Sequence, residues 1–175
     1  MARQVALLRG INLGSARRIA MGELRTLLEA HYEEVSTYIA SGNILLTSDL
    51  PPDALGAELE RRIEERFEIE VPVVVRTREE LAAVVAGDPF AELVTDPKRY
   101  QVSFLGEPPD RAITSRIEAA AVAPEAVAVK GREIFAWHPH GVIRSPLAKA
   151  LGDRRLGATA RNWNTVTNLL ALASS

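Results

Sequence analysis

The densest polar cluster in the chain is Thr159-Ala160-Arg161-Asn162-Trp163-Asn164-Thr165, and its spacing puts it at the start of a helix. A helix start leaves amide donors free and carries a positive dipole end, so backbone and Arg161 together could hold an anion. The same residues also suit a plain helix start in which Asn162 caps, Trp163 packs inward and Arg161 pairs with a carboxylate. A second candidate is Gly10-Ile11-Asn12-Leu13-Gly14, between a strand and a helix, where glycines can expose amides to a phosphate and Arg9 with Arg17 or Arg18 can reach it. It lacks the Lys-Ser/Thr ending of a P-loop and the G-x-G-x-x-G dinucleotide pattern, and a turn with surface arginines accounts for it equally well. His138-Pro139-His140 offers two imidazoles, but a tight metal site needs three or four ligands and His31 is the only other histidine, so an exposed loop is expected. Ser145 and Lys149 lie one helical turn apart and miss the Ser-x-x-Lys spacing by one residue, Ala148 standing in the Lys place, so Ser145 is expected as a helix cap.

These residues hang on a readable series of elements. Residues 5–9 read as a strand running into the Gly10 loop, and Met21, Leu24, Leu27 and Leu28 repeat at helical spacing. Residues 35–39 and 44–47 are strands joined by Ala40-Ser41-Gly42-Asn43, a hairpin connection. Pro51-Pro52-Asp53 opens a helix with Leu55, Leu59, Ile63 and Phe67 on one face, and residues 71–76 form a strand whose Pro72 points to its start or to a sheet edge. Thr77 and Glu80 then fit a capping box ahead of another helix. The order β-α-β-β-α-β predicts the split βαβ arrangement, two helices on one face of an antiparallel sheet. A second half begins near residue 98, with a strand at 100–105, a helix at 110–121, a hairpin over 127–137, a helix opening at Ser145-Pro146 and a last helix from about Trp163 to Ala173. It echoes the first half without a residue-level repeat. The expectation is an α+β protein of two packed ferredoxin-like subdomains with mainly antiparallel sheets: residues 1–97, including a connecting helix, and residues 98–175.

Composition narrows the function classes. The 175 residues are 47% hydrophobic, enough for an ordinary core, and contain no cysteine, which excludes disulfides, thiolate metal sites and cysteine nucleophiles. No apolar run approaches the roughly 18 residues of a spanning helix, so a soluble, cytoplasmic protein without a membrane partner is expected. The net charge of −2 conceals basic ends, +4 over residues 1–25 and +5 over residues 130–175, around a middle at −11. Basic ends brought together would suit an anionic ligand; scattered solvated arginines are the alternative.

The opening Ala6-Leu7-Leu8-Arg9-Gly10-Ile11-Asn12-Leu13-Gly14, the Met21-x-x-Leu24 helix, Thr37-Tyr38-Ile39-Ala40-Ser41-Gly42-Asn43, the strand from Val71-Pro72 to Thr77 and the closing segment from Thr159 to Val166 together resemble the bacterial domain-of-unknown-function family 1697. The resemblance covers essentially the whole chain and implies an α+β fold of two related ferredoxin-like subdomains. It brings no activity, substrate or cofactor. It does imply that Arg9, Asn12, Ser41, Asn43, Arg161, Asn162 and Asn164 serve something shared, either a site or a fold constraint.

The leading functional expectation is therefore a phosphate-bearing or other anionic small ligand, such as a nucleotide, held where the Gly10 loop, the Ser41-to-Asn43 turn and the Arg161 helix start converge. Single-stranded nucleic acid is a weaker alternative, because aromatics are only 5% and the net charge is slightly negative. An enzyme on a phosphorylated or acyl substrate, with Ser41 or Ser145 in a catalytic part, is the third. No catalytic residue, metal or cofactor is assigned, and oligomeric state is left open.

Overall fold

The structure, a computed structural model, describes all 175 residues and places them in two compact units, Met1–Ala82 with Leu169–Ser175, and Ala83–Asn168. The protein is α+β, with two four-stranded antiparallel sheets and six helices. No helix is long and apolar enough to cross a membrane.

The first unit carries β1 (Ala2–Leu8), α1 (Met21–Glu29), β2 (Glu33–Tyr38), β3 (Asn43–Ser48), α2 (Pro52–Phe67) and β4 (Val73–Thr77). Sheet order is β2-β3-β1-β4 with every neighbour antiparallel, so β3 lies between β1 and β2, and β1 between β3 and β4. Alternation along the strands sends Ala6, Leu8, Ile44, Leu46, Val73 and Val75 to one face, where they pack with Leu24 and Leu28 of α1 and Leu55, Leu59 and Ile63 of α2. Each buried Val, Leu or Ile on this face contributes about 1.5–3 kcal/mol. Pro72 lies just ahead of β4, an edge strand, where its missing amide proton costs nothing. Thr77 and Glu80 cap each other as read from the sequence: Glu80 N–H donates to Thr77 Oγ1 at 3.1 Å and Thr77 N–H to Glu80 Oε2 at 2.9 Å, starting α3 (Arg78–Ala86).

The second unit repeats the plan with β5 (Tyr100–Phe104), α4 (Arg111–Ala120), β6 (Ala126–Lys130), β7 (Glu133–Trp137), α5 (Pro146–Leu151) and β8 (Thr159–Asn162) in the order β6-β7-β5-β8, again all antiparallel. Ile117, Ile134, Ala136, Leu147 and Leu151 form the core under α4 and α5. Here the structure corrects the sequence reading. Thr159–Asn162, read from the sequence as part of a helix start, is an edge strand paired with β5, and α6 (Trp163–Ala173) follows it with no intervening residue. A residue-level repeat also emerges once register is known. Gln4 lies opposite Leu46 and Thr77, and Gln101 opposite Ala136 and Asn162, so Gln4-Val5-x-x-Leu8 and Gln101-Val102-x-x-Leu105 occupy equivalent places. Leu8 N–H donates to Gly42 O at 2.8 Å and Leu105 N–H to Arg132 O at 2.9 Å, the same tie to the neighbouring hairpin in each unit.

Candidate functional site

Arg9, Asn12, Ser41 and Asn43 fall in the first unit, and Arg161, Asn162 and Asn164 in the second. In the first unit the Gly10 loop and the Ser41-to-Asn43 turn do meet. Asn12, at φ 55°, donates through Nδ2 to Ile19 O at 3.0 Å and to Ala40 O at 2.8 Å, and its Oδ1 accepts from Ile19 N–H at 2.9 Å. Its side chain thus closes the loop on itself and ties it to the turn. Fully buried Asn43 donates to Tyr38 O at 2.9 Å and to Ser41 Oγ at 3.1 Å, fixing the turn from within. Gly42, at φ +87°, is held against β1 and the loop: a Cβ there would lie 2.8 Å from Leu8 Cβ and 2.9 Å from Ile11 Cδ1. Arg9, half-buried, follows β1 and its N–H donates to Pro72 O at 3.0 Å; Arg17 donates to Glu70 O, and Arg18 to Gly14 O at 3.0 Å. The Asn12 amide and the Arg17 and Arg18 guanidiniums are thus engaged with backbone groups of the chain itself.

In the second unit the strand assignment separates the polar cluster. Asn162, opposite Gln101, projects to the face that carries α4 and α5, whereas Arg161, opposite Val102, projects to the other. Asn162 Oδ1 accepts from Thr165 N–H at 2.9 Å and caps α6; Trp163 packs on Tyr100 with ring centroids 5.0 Å apart. Arg161 is surrounded closely enough that burial pulls its guanidinium down to about 10, and Nη1 donates to Ala160 O at 2.9 Å. Asn164 sits in the first turn of α6, its carbonyl accepting from Thr167 Oγ1 at 3.1 Å. Tyr100, Val102, Phe104, Phe135 and Trp137, on Arg161's face, are all below 5% exposed, so that sheet face offers no open aromatic platform for bases.

The histidine loop also departs from expectation. His138 is fully buried, and only His140 is exposed. His138 Nδ1 lies 3.2 Å from Glu125 Oε1, which also accepts from Ser145 Oγ at 2.5 Å, while Ser145 Oγ accepts from Ala148 N–H at 3.0 Å and caps α5. Burial is the largest influence on the Glu125 carboxyl and pushes it up, but the Ser145 hydroxyl, the His138 ring and Val122 N–H together outweigh it and hold it below its ordinary value. With its proton directed to Glu125, Ser145 does not form a nucleophile pair with Lys149.

Beside this network a cleft of about 710 Å³ opens, lined by Gln101, Arg144, Ser145 and Lys149 with Val142 and Pro146 as apolar wall. None of its lining residues is acidic. Neither the Arg144 guanidinium nor the Lys149 ammonium has an ion pair or hydrogen bond, whereas Arg25, Arg61, Arg62, Arg78 and Arg155 all pair with carboxylates. Arg144 adopts φ 64°, a left-handed conformation that side chains other than Gly, Asn and Asp seldom take. Sequence reasoning noted Ser145 and Lys149 for a different chemistry and missed Gln101 and Arg144, which reach the cleft from a strand and a connecting loop. The available signal was Gln101 itself, a long polar residue inside an apolar strand.

A family model described as "Protein of unknown function (DUF1697)" matches residues 1–135. Among solved structures, the conserved bacterial protein SP0830 from Streptococcus pneumoniae superposes with a TM-score of 0.75 at 23% identity, covering 98% of each chain, a likeness of fold. No curated protein matches the sequence.

Proposed function

The chain belongs to the DUF1697 family, and we propose that it binds a small anionic, phosphate-bearing ligand in the cleft of its second unit. The observation that carries this reading is the pair of cations without ion pairs, Arg144 and Lys149, on a concave wall with no acidic residue. Two such cations on one concavity can engage the same anion through charge-assisted hydrogen bonds. The segment around them is basic as well, with seven Lys and Arg over residues 130–175 against Glu133 and Asp153. Both sheets are read as ferredoxin-like, from the split order in which the first and second strands flank the third. The buried aromatic face weighs against single-stranded nucleic acid on the sheet.

Titration calorimetry with inorganic phosphate and ribose 5-phosphate tests the reading. Wild-type protein should bind ribose 5-phosphate, more weakly as salt rises, and Arg144→Ala/Lys149→Ala should lose about 100-fold or more in affinity, since charged hydrogen bonds contribute about 1.5–3 kcal/mol each. Both side chains are exposed, so the variant should melt with the wild type. Equal affinity in the two proteins would refute this site.

A further inference from the structure

We infer that Gln101 reads a donor–acceptor edge on the ligand, so that the cleft selects a phosphorylated molecule carrying a flat amide-like ring, of which a mononucleotide is the simplest kind. This rests on the anionic-ligand reading above.

The inference comes from what the two equivalent glutamines do. In the first unit Gln4 is buried and its Nε2 donates to Leu50 O at 2.8 Å, clamping the short connection of residues 49–51 that leads from β3 into α2. In the second unit the equivalent connection, residues 138–145, is longer, and the helix it enters, α5, has 6 residues where α2 has 16. Where Gln4 is buried, Gln101 is only half-buried. The Gln101 side chain lines the cleft, and its amide makes no hydrogen bond within the protein. The half-buried amide is therefore open to the cleft, where a ligand can take up both of its polar atoms.

A primary amide presents one acceptor, Oε1, beside one donor, Nε2. Its complement is a group with donor and acceptor side by side, as on the edge of a nucleobase or a cyclic amide. Arg144 and Lys149 take the anionic end, and Val142 with Pro146 supply an apolar wall for the ring between. The cavity volume falls within the range of roughly 300–1,000 Å³ usual for small-ligand sites.

The experiment compares adenosine and uridine 5′-monophosphates with ribose 5-phosphate by titration calorimetry, on wild type, Gln101→Met and Gln101→Glu. At least one mononucleotide should bind wild type about tenfold or more tighter than ribose 5-phosphate, as a bidentate amide contact allows. Gln101→Met keeps the length and removes both polar atoms, and Gln101→Glu removes the donor. In each variant the advantage of the base over ribose 5-phosphate should vanish and the melting temperature should be retained; Gln101→Met should bind ribose 5-phosphate as wild type does, whereas the new carboxylate of Gln101→Glu should weaken every phosphate alike. Equal affinity for all three compounds in wild type, or a preference that survives both variants, overturns the role of Gln101 and leaves the anion site standing. No binding of any phosphate overturns both.

Discussion

Gly42→Ala is expected to be the most damaging single methyl that can be added to the hairpin turns, for two separable reasons. At φ +87° an alanine costs roughly 1–2 kcal/mol in backbone strain. Its Cβ would also lie 2.8 Å from Leu8 Cβ, an atom fixed to the β1 backbone, and 2.9 Å from Ile11 Cδ1, so β1 or the Gly10 loop must shift, at about 1–3 kcal/mol for overpacking. The sum is about 2–5 kcal/mol, or roughly 4–20 °C in melting temperature for a chain of this size. Gly131→Ala is the internal control: it turns the β6–β7 hairpin at φ +59° but meets nothing within 4 Å, so only the strain is added. Urea unfolding of both variants, followed by far-ultraviolet circular dichroism and tryptophan fluorescence, separates the contributions. Equal destabilisation of the two would refute the close packing of turn, strand and loop on which the first unit's architecture rests.

Asn12→Ala removes three hydrogen bonds that close the Gly10 loop, at about 0.5–1.5 kcal/mol each, so urea unfolding should show a loss of about 2–4 kcal/mol with ribose 5-phosphate affinity unchanged. A stable variant that no longer binds phosphate would instead move Asn12 into a ligand site. Glu125 sets an acid response. Its folded carboxyl titrates below the ordinary 4.5, so it stabilises the protein above that value and the contribution disappears as pH falls through the lower, folded value. Melting temperatures from about pH 6 to about pH 3 should fall less steeply in Glu125→Gln than in wild type, and parallel curves would contradict the sign of the shift.

Most of the fold was legible because apolar periodicity, prolines and caps agree with one another. The Thr77–Glu80 box and the Pro51-Pro52 start were readable from residue type alone, since each supplies a specific local bond or dihedral. Thr159–Asn162 was not, because a four-residue strand of Thr, Ala, Arg and Asn has little β-pattern of its own and is held by pairing with β5, a contact remote in sequence. The same long-range register hides the Gln-Val-x-x-Leu repeat, and it sends Arg161 and Asn162 to opposite faces where adjacency in sequence suggested one cluster. His138-Pro139-His140-Gly141 has the composition of a solvated loop, yet His138 is buried by its contact with Glu125, thirteen positions away in sequence. The cleft was harder still, since Gln101 and Arg144 lie in different elements and only the tertiary fold brings them to one wall.

The direct passage from β4 into α3 and from β8 into α6 limits how the chain can vary in length. One residue inserted in either strand would reverse the faces of the positions that follow, and one inserted in the helix would turn its later residues by about 100°. A residue inserted between Thr77 and Glu80, or between Asn162 and Thr165, would also break the capping bond that starts the helix. The connection over residues 138–145, by contrast, has no partner in the sheet ladder and already differs in length from its counterpart before α2. Insertions and deletions should therefore be accepted around the cleft and rejected at the two strand–helix junctions, which makes the rim of the cleft the part of this fold where new ligand preferences can be installed without unfolding it.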